Sequence, residues 1–87
     1  MYASINKQEL ARRVAERTGM DHLIVDVLLD AVLEEIFTAL KHEESVSLRN
    51  FGIFYIEHKR DGCVFKFNPA QRLRAPFGWS STYRGEL

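Results

Sequence analysis

The segment from Asp21 to His42 carries more apolar surface than a chain of this size can hide by itself. Asp21 is a good N-cap, and Val25, Leu28, Leu29, Val32, Leu33, Ile36, Phe37 and Leu40 follow at helical spacing, which predicts one long helix. Leu23, Ile24 and Val27 widen the apolar arc until the helix needs cover on two sides, and one short partner helix covers only one. The plain alternative is a central core helix. In an 87-residue chain that is 46% hydrophobic, the preferred reading makes part of this face a dimer interface, joined by Phe51 and Phe54.

The flanking segments fill in an α+β order. Asn6 and Glu9 have the spacing of a capping box, Ile5 and Leu10 that of a hydrophobic staple, and Gly19 is a helix terminator, so a first helix is expected over about 6–18. After His42 the period becomes alternating. Val46 and Leu48 mark a first strand, Asn50-Phe51-Gly52 a turn, Ile53 to Arg60 a second strand, and Asp61-Gly62 a two-residue hairpin turn of type I′. That turn sets Arg60 opposite Cys63, His58 opposite Phe65, Glu57 opposite Lys66 and Ile56 opposite Phe67. Asn68 as cap and Pro69 at the first helical position open a short third helix over 69–75, stopped by Pro76. The division is therefore 6–42 helical, 45–68 sheet, 69–75 helix and 76–87 an irregular tail, within one domain.

The formal charge is zero, but its distribution is polar. Residues 1–45 hold five basic against nine acidic side chains, a net of −4, and residues 46–87 hold seven against three, a net of +4. Such a chain presents a basic face to a polyanion in spite of its neutral sum. One cysteine, Cys63, forms no internal disulfide, and nothing near it in sequence marks it as activated. The three histidines are too scattered for a metal site, so no metal or cofactor is expected. The chain shows no signal-peptide core and no membrane-spanning run, so a cytoplasmic protein is expected. The serines, histidines and acids form no nucleophile motif, and neither an enzyme nor a small-molecule substrate is expected.

Taken in order, "INKQELARRVAERTG", the long apolar helix, "LRNFGIFYI" and "FNPAQRL" resemble the bacterial HU and IHF family of histone-like DNA-binding proteins over about residues 4–75. The resemblance implies an intertwined homodimer on double-stranded DNA in the bacterial nucleoid, and it leaves room for a heterodimer with an HU-like paralogue. It also implies two long β arms, each with a tip proline that wedges into the minor groove and kinks the duplex. Here the sequence departs from the family: Arg60-Asp61-Gly62-Cys63 joins the two strands directly, and Pro69 and Pro76 lie elsewhere. DNA contact is then expected mainly with phosphates, with little sequence choice and weak or no bending.

The candidate DNA contacts are Arg49, Asn50, Lys59, Arg60, Lys66, Arg72 and Arg74. Each has a plain counterpart. Tip cations serve solubility, Lys66 has Glu57 to pair with, Asn50 suits a turn for its conformation, and Arg72 and Arg74 have acidic α-helical partners available. Phe65 and Phe67 share a face with Ile56 and Phe54 and read as core rather than as base-stacking platforms. The rival function is a protein-interaction module that has lost its DNA arms and uses the saddle that the resemblance implies for the dimer's sheets, or the tail residues Phe77, Trp79 and Tyr83.

Overall fold

The computed structural model describes residues 3–77, so Trp79 and Tyr83 of the tail lie outside the described residues. The elements are α1 (Lys7–Thr18), α2 (His22–Lys41), β1 (Val46–Leu48), β2 (Gly52–Lys59), β3 (Gly62–Pro69) and α3 (Gln71–Phe77). By packing, the chain divides into two units, Met1–Glu35 and Ile36–Leu87.

In the first unit α1 starts where the sequence says it should. The Asn6 side chain accepts from the Glu9 N–H at 2.9 Å, and Gly19 ends the helix in the left-handed region at φ 73. Only half of the capping box forms, because the Glu9 carboxylate turns to Arg12 and Arg13 rather than back to the cap. The Asp21 carboxylate caps α2, accepting from the Leu23 N–H at 2.7 Å. Ala11, Ala15 and Val25 make the buried core, with Val14 and Leu29 packed against it. Val25, expected at a dimer interface, is therefore 4% exposed within one chain, and Leu29 is partly withdrawn with it. Val25 is covered because Ala11 and Ala15 of α1 share one buried cluster with it.

Two alanines and a valine take little apolar surface out of water, and hydrophobic stabilisation scales with that area. A core of that size cannot carry the fold. Meanwhile Leu23 is 71% exposed and Phe37 56%, and Val27, Leu28, Val32 and Leu33 stay open along the same helix.

The second unit begins with the last turn of α2. The Glu43 N–H donates to Leu40 O and the Glu44 N–H to Ala39 O, with Glu43 left-handed at φ 63, the bonding of a Schellman stop with a non-glycine residue at its turning point. The sheet order is β1-β2-β3, antiparallel throughout. The register of β2 on β3 differs from the expected one by two residues: Lys59 pairs with Gly62, His58 with Cys63, Glu57 with Val64, Ile56 with Phe65 and Phe54 with Phe67. Arg60 and Asp61 are the turn, and neither has positive φ, which excludes type I′; the positive φ, 144, falls on Gly62. A slip of two keeps every side chain on its expected face. Phe54 and Phe67 still meet, at 4.7 Å between ring centroids, with Phe51 and Phe65 alongside.

At the base of the ribbon Gly52 lies between Leu48 and Pro69, and a Cβ there would meet Asn68 O and the Phe67 ring at 2.6 Å. Pro69 does not open α3. It is the buried last residue of β3, a strand end where a missing N–H is tolerated. Ala70 takes over the helix start: its N–H donates to Phe51 O, and its carbonyl accepts from the Leu73 and Arg74 N–H groups. Nor does Pro76 stop the helix, which runs through it to Phe77.

Candidate nucleic-acid interface

The sequence-derived contact residues fall in two places. The first is the turn between β1 and β2 beside the start of α3. The Phe51 N–H donates to Leu48 O at 2.9 Å, which makes Arg49 and Asn50 the central residues, and Asn50 supplies the positive φ, 66, that the third position of a type II turn requires. A cleft of about 260 Å³ brings Arg49 and Asn50 together with Arg74, Asn68, Pro69 and Gly52. Arg74 donates from Nε to Pro69 O at 2.9 Å and from its terminal nitrogen to Asn68 Oδ1 at 3.3 Å, so it clamps α3 onto the strand end. Arg72, two residues earlier and so on another side of α3, is exposed instead.

The second place is the far end of the β2–β3 ribbon. Lys59 and Arg60 are exposed there. Lys66 is not: its side chain is 16% exposed and its Nζ lies 3.0 Å from Glu57 Oε1, a diagonal pair rather than the directly opposed one expected. The Lys66 hydrogen bond, and then the field of Lys59, hold the Glu57 carboxyl below its ordinary range. Lys66 is thus largely neutralised where it stands, whereas Arg49, Arg60 and Arg72 have no carboxylate at ion-pair distance among the described residues.

The ribbon end also holds an arrangement that the sequence did not disclose. Cys63 Sγ lies 3.3 Å from His58 Nδ1, and His58 Nε2 lies 3.0 Å from Glu43 Oε1. The expected register placed Cys63 opposite Arg60 and so hid the first contact. Reading Lys59 and Gly62 as the last rung would have exposed it.

The described residues thus combine an uncovered apolar helix face, a three-stranded antiparallel sheet and exposed cations at the ribbon end. The sequence matches the family described as bacterial DNA-binding protein over residues 5–65, and the chain belongs to that family. It is 37% identical to integration host factor subunit alpha of Stutzerimonas stutzeri (strain A1501), with 83% of this chain and 88% of the relative aligned. The same figures hold for integration host factor subunit alpha of Pseudomonas aeruginosa (strain UCBPP-PA14). Among solved structures, HU from Thermotoga maritima superposes with a TM-score of 0.71 at 37% identity, covering 82% of this chain and 96% of that one. The HU of an Anabaena HU–DNA cocrystal superposes equally, at 0.71, with 26% identity and coverage of 80% and 94%. The three helices, the three-stranded antiparallel sheet and their order are those expected from the resemblance.

Proposed function

We propose that the protein is a nucleoid-associated, cytoplasmic DNA-binding protein that holds double-stranded DNA as a homodimer, mainly by its phosphates, with little sequence choice and weak or no bending. The observation that carries this reading is the ribbon end, where two residues, Arg60 and Asp61, return the chain from β2 to β3. A long basic arm with a proline wedge is what lets a minor-groove binder unstack a base step and kink the duplex. Here both strands stop at eight residues, and the prolines stand at the end of β3 and inside α3. The alignment with integration host factor supports the same reading: it spans 88 positions yet takes in only 83% of this 87-residue chain, so the relatives carry residues that this chain lacks.

The remaining chemistry is that of backbone contact. Lys59 and Arg60 at the ribbon end, and Arg49, Asn50 and Arg72 near the β1–β2 turn, supply charge and hydrogen-bond donors without a base-reading element. Lys66 and Arg74 contribute through the field and by holding these neighbours in place. Leu28, Val32, Leu33 and Phe37 of α2, with Phe51, stand exposed in the single chain, and together with the half-buried Ile36, Leu40 and Phe54 they close against a second copy.

The test is a salt titration of binding to linear, pre-bent and single-stranded DNA by purified full-length protein of measured mass. The expected result is a dimer, a linear fall of log affinity with log salt, and little preference for bent over linear duplex. Absence of binding at low salt, or a flat salt dependence, overturns the DNA reading; strong bending of linear duplex overturns the short-ribbon argument alone. A heterodimer with a longer-armed paralogue would show as an isolated chain that stays monomeric.

A further inference from the structure

Three side chains line up at the ribbon end in the order carboxylate, imidazole, thiol. They come from separate parts of the chain: Glu43 from the stop of α2, His58 from β2 and Cys63 from the facing rung of β3. Each ring nitrogen has one role. With the Glu43 carboxylate accepting the Nε2–H at 3.0 Å, the lone pair of Nδ1 is left to face the thiol at 3.3 Å. A nucleophile within reach of a base, with the base oriented by a third group, is the arrangement that activates cysteine and serine in covalent chemistry. Glu43 reaches His58 because the helix ends in a left-handed turn at that residue rather than at a glycine.

Access and alternatives also bear on this cluster. The His58 side chain is 60% exposed, that of Glu43 59%, and Cys63 is exposed as well, unlike the buried thiols that serve as packing. A metal does not account for the cluster: both imidazole nitrogens are committed within it, and no metal-holding group of three ligands occurs among the described residues. The charged groups nearest in sequence are Lys59, Arg60 and Asp61 of the same tip.

We propose that Glu43, His58 and Cys63 form a reactive-thiol site that takes small hydroperoxides and is oxidised by them to a sulfenic acid. The thiol proton passes to His58 Nδ1 while the Glu43 carboxylate holds the imidazolium by Nε2–H. The sulfur electron pair attacks one peroxide oxygen, the S–O bond forms as the O–O bond breaks, and the leaving oxygen departs with the pair. That oxygen takes the proton back from the imidazolium. For hydrogen peroxide the products are one sulfenic acid and one water, so the sulfur is oxidised by two electrons and the peroxide is reduced by two. With a single cysteine per chain, no second thiol of the same chain condenses with the product, and it stays open to capture.

The test needs no DNA, so its outcome is independent of the DNA reading. The full-length protein is alkylated with iodoacetamide at neutral pH, folded and again in urea, and the same samples are treated with hydrogen peroxide and trapped with dimedone. The folded protein is expected to react about tenfold faster than the unfolded one, because only the fold sets His58 Nδ1 3.3 Å from the thiol to take its proton. His58→Gln brings the folded rate down to the unfolded rate, Glu43→Gln falls between, and Cys63→Ser takes no label. A folded wild-type rate no higher than that in urea overturns the proposal without recourse to any variant. So does a His58→Gln protein with unchanged circular dichroism and the wild-type rate.

Discussion

In α1, Lys7 lies 2.9 Å from Asp26 and 2.7 Å from Asp30, Arg12 is forked between Glu9 and Glu16, and Arg13 shares Glu9. In the sheet unit, Arg49, Arg60 and Arg72 have no such partner among the described residues, Lys59 acts on Glu57 through its field, Lys66 is paired with Glu57, and Arg74 is held by Pro69 O and Asn68 Oδ1. Arg17, and Lys41 over the Phe37 ring at the end of α2, are the exceptions among the cations of α1 and α2. The contrast explains how a chain of zero net charge can serve a polyanion. The helical cations are committed to their own carboxylates, with Asp30 and then Asp26 pushing the Lys7 ammonium up, and Arg12 and then Arg13 holding Glu9 down to about 2. The sheet cations keep their field for something outside the chain.

The largest expected effect breaks the sheet side of the contrast at its geometry. Gly52→Ala drives a Cβ into Asn68 O and the Phe67 ring at a backbone φ of 153, so the sheet must shift; a loss of about 3 kcal/mol in urea unfolding is expected, with DNA affinity falling alongside. Wild-type stability in that variant would mean that the β2–β3 base is looser than its contacts imply.

Next comes the charge itself. Reversing Lys59 and Arg60 to Glu is expected to lower duplex affinity about a hundredfold at low salt and to flatten the salt slope by about two phosphate contacts. An unchanged affinity would move the interface away from the ribbon end altogether.

On the helical side, Glu9→Gln is expected to lower stability only where Glu9 is ionised. Its folded pKa, about 2, lies below the ordinary 4.5, so its contribution is present above 4.5 and disappears as pH falls through 2. Acid unfolding curves of the two proteins should therefore converge below pH 2. The smallest effect is the sharpest control. Arg12→Gln removes a cation as exposed as many in the sheet, yet it should leave DNA affinity and its salt slope within error, because that cation is already spoken for by Glu9 and Glu16.

Much of this contrast was legible in the sequence. The −4 and +4 halves, the caps at Asn6 and Asp21, the Gly19 stop and the order of elements all follow from local chemistry, and local chemistry held. What the sequence obscured is decided by partners at a distance. Asp61-Gly62 looks like a type I′ turn, but the ladder closes one step earlier, on Lys59 and Gly62, because that register sets Phe54 on Phe67 and Ile56 on Phe65. Asn68-Pro69 reads as a helix start, yet pairing with Gly52 draws Pro69 into the strand and passes the start to Ala70. Val25 reads as interface until the two small alanines opposite are seen to bury it. The candidate site divides along the same line: Asn50 and the tip cations stand where a pattern can place them, while the pairing of Lys66, the clamp of Arg74 and the Glu43–His58–Cys63 line depend on register and on a helix stop.

The closed ribbon end also makes this hairpin a natural place for lengthening. Lys59 and Gly62 form the last rung, and no side chain beyond them is needed to hold the ladder below. Residues added in equal number to both strands at that point leave the in-or-out sense of every rung beneath unchanged, because the side-chain period is two. The entropy of closing a longer loop grows only slowly with its length. The phenylalanine cluster and the Gly52 base would not register such an insertion. Ribbon length is thus separable from the rest of the architecture, and chains of this plan can differ widely in how far they reach round a duplex while keeping one foundation.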